Sequence, residues 1–241
     1  MKRFVLYILV FIGLGFIVNE TRAIDRATLR WLRTSPRITE IVIEGNDYIS
    51  DSDIKKKLYS KKESFWNQIK GDRRRKLQRE TLGRDTLEVK YLYYVNGFLN
   101  VKVKESFELI EKDSTVRVRI DIDEGRQFFY GEKAVTGQYE GRLGYRFVNI
   151  ANKLKTGKPV NPVEIRQAVY NMETVLANHG YPYARITYTI DTAVGLEISP
   201  ISFDIESDSL VHFGEVTVEG VDRFPEYVAR RELKIKPGSV Y

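Results

Sequence analysis

Two stretches decide the fold: Tyr130-Gly-Glu-Lys-Ala-Val-Thr-Gly137 and Phe213-Gly-Glu-Val-Thr-Val-Glu-Gly220, the same pattern displaced by 83 residues. A second block, Asn96-Gly-Phe-Leu-Asn-Val-Lys-Val103, returns as His179-Gly-Tyr-Pro-Tyr-Ala-Arg-Ile186, again 83 residues on. A third, Lys153-Leu-Lys-Thr-Gly-Lys-Pro-Val160, returns as Lys234-Ile-Lys-Pro-Gly-Ser-Val-Tyr241 with an offset of 81. Three separate blocks agreeing on one spacing mark an internal repeat, and a unit this long can hold a core of its own. A related opening, Ile38-Thr-Glu-Ile-Val-Ile-Glu-Gly45, sets the first unit. The expected organisation is a leader at 1–23, units at 37–126 and 127–209, and an incomplete third unit at 210–241.

Each unit reads in the same order. An apolar β-type run ends at a glycine turn. In the first unit Ser50-Asp-Ser-Asp53 then gives an N-cap before Ile54 and Leu58. A second helix is predicted from Leu87, Tyr91 and Tyr94 at i, i+4, i+7, closed by Asn96-Gly97. On that stripe Tyr91 and Tyr94 face the core and Tyr93 points elsewhere, towards a neighbouring unit or a partner. Leu99, Val101 and Val103 then alternate with polar residues, as do Val116, Val118, Ile120 and Ile122 after a turn at Lys112-Asp113-Ser114. Alternation means one buried and one wet sheet face. In the second unit 145–154 reads as the first helix, and Asn161-Pro162-Val163-Glu164 starts the second. Its apolar stripe is Ile165, Val169, Met172, Val175 and Leu176. Strands follow through Ala184, Ile186, Tyr188 and Ile190, and through Leu196, Ile198, Ile201, Phe203 and Ile205, with Pro200 at a bulge or edge. The order is β-α-α-β-β: an α+β fold with two helices on a three-stranded mixed sheet.

Composition narrows the chemistry. The 241 residues include no Cys and only two His, His179 and His212. That removes disulfides, thiolate metal sites and cysteine nucleophiles, and leaves little for histidine catalysis. Asp121, Asp123 and Glu124 bring carboxylates together, but no Asx-rich loop supplies the six to eight oxygens calcium takes; they read as a solvated strand face paired with Arg117 and Arg119. No nucleotide or hydrolase motif is present. No catalytic residue, cofactor or metal site is predicted.

Lys2 and Arg3 precede an uncharged run from Phe4 to Val18, and Thr21-Arg22-Ala23 offers a cleavage site. Fifteen residues of helix span ~22 Å, short of the ~30 Å hydrocarbon core. The segment therefore reads as a secretory signal peptide, with an uncleaved anchor as the alternative. Its loss takes Lys2, Arg3, Arg22 and Glu20, and lowers the net charge from +6 to +4. Export argues against a nucleic-acid role. The basic run Lys70 to Arg79, with Asp72 and Glu80 among it, reads as a solvated helix face.

With these elements in order, the sequence resembles the POTRA-domain array of the BamA/TamA outer-membrane protein assembly family. The carriers are the strand ending in Glu-Gly or Thr-Gly, the inter-helix Thr156-Gly157-Lys-Pro-Val160, and the glycine-aromatic closures Tyr94-Val-Asn-Gly97-Phe98 and Ala177-Asn-His-Gly180-Tyr181. Two stretches depart from it: Ser60 to Lys70, where Gly71 is the nearest inter-helix glycine, and the polar insertion Gln138 to Gly144. The resemblance implies periplasmic domains ahead of an outer-membrane β-barrel. They would receive unfolded outer-membrane proteins, or periplasmic and membrane assembly subunits, by strand addition at a sheet edge. The implied edge is the first strand after the helices, 99–104 and 184–190 here. Its partner-binding residues are Val101, Lys102, Val103, Arg185, Ile186 and Thr187. The third unit lacks its second helix and two strands, so a fragment is expected, with more coding sequence after Tyr241. A two-partner secretion transporter or cell-division scaffold module is the alternative role; an exported hydrolase has no supporting residues.

Overall fold

The computed structural model describes residues 35–62, 69, 76–77, 83–110, 115–193, 198–220, 225–233 and 235–241. The leader, Gly71, most of the basic run, the turn at 112–114 and Leu196 lie outside the described residues. No helix among the described residues is long and apolar enough to cross a membrane. The chain forms two compact units that divide between Gln127 and Phe128.

In the first unit β1 (Arg37–Glu44), α1 (Asp51–Lys57), α2 (Arg84–Tyr94), β2 (Lys102–Ile110) and β3 (Thr115–Asp123) follow in that order. β3 is the central strand, parallel to β1 and antiparallel to β2. The second unit repeats this with β4 (Phe129–Gln138), α3 (Gly144–Ala151), α4 (Pro162–Ala177), β5 (Arg185–Ile190) and β6 (Ile198–Glu206). Here β6 is central, parallel to β4 and antiparallel to β5. A short helix, α5 (Glu226–Glu232), follows. Within the Gln138–Gly144 insertion, a 3₁₀ turn at Gly141–Leu143 leads into α3.

The expected signals act where the sequence puts them. The Ser50 hydroxyl accepts the Asp53 N–H at the start of α1. The Asn161 side chain accepts the Val163 N–H at 3.0 Å, with Pro162 opening α4. Both second helices close in a Schellman pattern. The Phe98 and Tyr181 N–H groups reach back to the carbonyls of Tyr93 and Leu176, at 3.2 and 3.0 Å. Gly97 and Gly180 take the left-handed residue, at φ +90° and +91°. Pro200 lies in a central strand, where its missing N–H would break a ladder. The β4–β6 register shifts between Tyr130 and Lys133, opposite Ser199 to Ile201, and this bulge absorbs the proline.

The cores are the helix-facing halves of the sheets. Val116, Val118, Ile120 and Ile122 of β3 are buried with Ile54, Leu58 and Val89. Phe203 and Ile205 of β6 are buried with Ile165, Met172 and Leu176 of α4. Each such side chain contributes about 1.5–3 kcal/mol on removal from water.

The α2 stripe departs from expectation. Tyr91 and Leu87 are exposed and Tyr94 is half-buried, while Tyr93 is fully buried. The buried line is Asp85, Val89 and Tyr93, at i, i+4, i+8. A carboxylate on the core face disguises this stripe as polar. Tyr93 packs edge-on against Phe98, with centroids 5.4 Å apart, and donates its hydroxyl to Glu124 at 2.7 Å. Strand β2 also begins later than expected. Leu99 and Val101 lie in the turn after α2, where the Val101 N–H bonds the Phe98 carbonyl, and the strand runs on to Ile110.

Residues 213–220 form no strand, but a set of backbone bonds from the second unit's opening recurs between 211–213 and 238–241. In the second unit the Tyr130 N–H bonds the Lys158 carbonyl, the Gly157 N–H bonds the Tyr130 carbonyl and the Val160 N–H bonds the Phe128 carbonyl. The same three bonds recur as Phe213 to Ser239, Gly238 to Phe213 and Tyr241 to Val211. In the first unit the Leu77 N–H bonds the Pro36 carbonyl at the matching position.

Candidate partner-binding sheet edges

In both sheets the strand that follows the helices is one of the two outer strands: among the described residues β2 pairs only with β3, and β5 only with β6. An outer strand directs half of its N–H and C=O groups away from its neighbour, where a further strand can pair with them. The expected residues fall at the starts of these strands. Lys102 opens β2, exposed, and reaches Asp123 across the ladder at 3.4 Å. Val103 is buried on the helix side, and Val101 sits one residue before the strand. Arg185 and Thr187 of β5 are exposed, with Ile186 between them buried. The two trios lie in separate sheets and one residue out of step: Lys102 and Val103 match Arg185 and Ile186, with Val101 before its strand and Thr187 further along its own.

The two edges differ beyond their first residues. Glu105, Ser106 and Phe107 in β2 are all buried. Adjacent strand residues point to opposite faces, so the middle of β2 is covered on both. In β5 only Ile186 is buried; Arg185, Thr187 and Thr189 are exposed, and Tyr188 and Ile190 half-buried. The β5 edge is the barer one.

The cover on β2 is polar. Asp85, 1% exposed, accepts both the Tyr59 N–H and the Ser60 N–H, the latter at 3.1 and 3.2 Å. Glu105, 2% exposed, accepts the Gly83 N–H at 3.2 Å. Burial, and then the negative charge of Asp85, push the Glu105 carboxyl up to about 7. Neither acid nor their partners Tyr59, Ser60 and Gly83 stood out in the sequence, because isolated carboxylates carry no periodic signal.

The open sheet faces differ too. On the first, Arg117 pairs with Glu40 at 2.6 Å and Glu108 at 2.8 Å, and Arg119 pairs with Glu44 and with Asp121 at 2.9 Å. Hydrogen bonds from the guanidinium to Glu40 and then Glu108 raise the Arg117 pKa. Of the carboxylates read as paired with Arg117 and Arg119, Asp121 does pair with Arg119, but Asp123 faces Lys102, Glu124 turns to Tyr93 and to the Tyr48 N–H at 2.8 Å, and Arg117 takes Glu40 and Glu108 instead. On the second face Thr136 donates to Asp204 at 3.1 Å and Thr189 to Ser202 at 3.3 Å. Beside it, a groove of about 680 Å³ runs past Gln138, Tyr183, Arg185, Glu206 and Asp208. His179 bonds the Val175 carbonyl at 2.6 Å, within its own helix end. No group of three or more His, Asp or Glu is placed to hold a metal among the described residues.

Two βααββ units, each with the strand after its helices at an edge of its sheet, define a modular domain array. Residues 36–125 match the model of the POTRA family, described as "Surface antigen variable number repeat", and are a POTRA domain. The chain is 20% identical over 210 residues to the outer membrane protein assembly factor BamA of Neisseria meningitidis serogroup B. That match covers 86% of this chain and 26% of the relative, so the chain spans about a quarter of that protein's length. The crystal structure of POTRA domains 3–5 of Haemophilus influenzae BamA shares the fold, at a TM-score of 0.59 and 17% identity. It aligns over 86% of this chain and 80% of that one. The chain thus resembles the BamA POTRA array in sequence and in fold.

Proposed function

We propose that the two units are non-catalytic, periplasmic POTRA modules of an outer-membrane β-barrel protein insertion or transport factor, and that they hold extended segments of unfolded clients or partner subunits by strand addition. The observation that carries this is the bare β5 edge. Its outward backbone groups can pair with almost any extended chain, which suits an assembly factor with many clients. Arg185, Ile186 and Thr187 are the principal contacts. Lys102 and Val103 at the uncovered start of β2, with Val101 beside them, form a second and shorter one. The match to BamA supports the outer-membrane setting, and the leader read at 1–23 supplies the route of export.

A photo-crosslinking residue in place of Thr187 tests the reading. With a peptide from an unfolded outer-membrane barrel protein, a crosslink is expected there and none at Tyr170 on the outer side of α4. Equal labelling at both positions, or at neither, would contradict it.

A further inference from the structure

Gly180 ends α4 in the left-handed conformation, at φ +91°, and it is also buried. A Cβ placed on it would lie 2.2 Å from Val240 Cγ1 and 2.6 Å from Leu210 Cδ1. Its carbonyl accepts the Val211 N–H at 2.8 Å. The turn that closes α4 therefore meets the following segment at three points. Leu210 and Val240 come from separate parts of that segment, tied together by the Phe213–Ser239, Gly238–Phe213 and Tyr241–Val211 bonds. Only three residues, 207–209, separate the end of β6 from Leu210.

We infer that the glycine turn closing the second helix is a docking seat for residues 210–241 of the same chain, and that Gly180 fixes the angle at which they leave the second sheet. Without the seat, a three-residue link would let the segment swivel, as domains joined by small interfaces do. Bare backbone at position 180 lets two aliphatic side chains reach the turn, and any side chain there would push them off. The first unit carries the same device in another form. Asn96 and Gln127 stand 83 residues before His179 and Leu210, and the Gln127 side chain donates to the Asn96 carbonyl at 2.8 Å. In both units the chain leaving the sheet is fastened to the turn that ended the second helix. This inference is independent of client binding.

The chain has no cysteine, so paired spin labels at Gln167 and Lys236, both exposed, report only the intended distance. Pulsed electron–electron resonance is expected to give one narrow distance distribution for the parent chain. Gly180→Ala should widen it at least about twofold. The double variant Leu210→Ala/Val240→Ala should do the same without altering the glycine. Gly157→Ala is the control for left-handed backbone strain: its φ is +78° with nothing within 4 Å of an added Cβ. It should leave the distribution narrow. Should Gly180→Ala fail to fold, the double variant alone decides. A native width in the double variant, or equal widening by Gly157→Ala, would overturn the inference.

Discussion

The two units share a backbone plan and diverge at equivalent positions. An offset of 83 carries Asp85 onto Ala168, Glu105 onto Tyr188 and Arg119 onto Ser202. It also carries the cross-strand pair Lys102–Asp123 onto Arg185–Glu206. In the first unit the helix–sheet seam holds two buried carboxylates, the open face is laced with ion pairs, and the middle of the edge strand is covered. In the second the seam buries the Ser199 hydroxyl but no carboxylate among the described residues, the open face carries hydroxyls, and the edge strand is bare. The fold is set by what the units have in common, chiefly the glycine turns and the alternating central strand. What each can bind is set by where they differ. Gly45 and Gly137 show the common part most sharply. A Cβ at either would lie 2.0 or 2.1 Å from the carbonyl oxygen of Ile122 or Ile205, equivalent residues of the two central strands.

The largest expected effect tests the polar seam. Asp85→Ala strands the buried Tyr59 and Ser60 N–H groups and should destabilise the first unit by about 3 kcal/mol. Thermal unfolding followed by near-ultraviolet signals should show this loss with the second unit unmoved, since Ala168 already fills the matching place. Next comes pH. Glu105 has its folded-state pKa raised to about 7 from 4.5. Between these values the folded state binds the extra proton, so stability falls as pH rises from about 4.5 to 7 and stays low above it, by on the order of 3 kcal/mol. Denaturant titrations across that range should show the slope in the first unit, and Glu105→Gln should flatten it.

A smaller effect on stability, but a larger one on binding, is expected from Thr187→Lys with Thr189→Lys. Lysines blunt an open edge, so peptide affinity measured by fluorescence anisotropy should drop about tenfold or more, with stability changed by less than about 1 kcal/mol. Smallest is Arg117→Ala. Its partners are all partly exposed, so the loss should be about 0.5–1 kcal/mol, shrinking in high salt.

Much of this architecture could be read from residues. Ser50, Asn161, Pro162, Gly97 and Gly180 act locally, through bonds to neighbours a few positions away, so their patterns survive in the sequence. The strands β3 and β6 alternate because one face is packed and the other wet. What stayed hidden depends on partners distant in sequence. Tyr93 rather than Tyr91 faces the core because Asp85, on the same stripe, is satisfied by Tyr59 and Ser60, more than twenty residues earlier. Burial at Glu105 and Ser106 hides the middle of β2, and nothing in the alternation of 99–104 announces it. The unequal exposure of the two edge strands follows from what packs over the middle of β2.

An extended client is expected to add as a strand to β5. Hydrogen exchange of the backbone amides, with and without an alternating apolar–polar peptide from an outer-membrane barrel protein, tests it directly. Slowed exchange at alternate residues of 185–190, with little change at 105–107, is the expected result. Binding of the peptide with no added protection in 185–190 would contradict it.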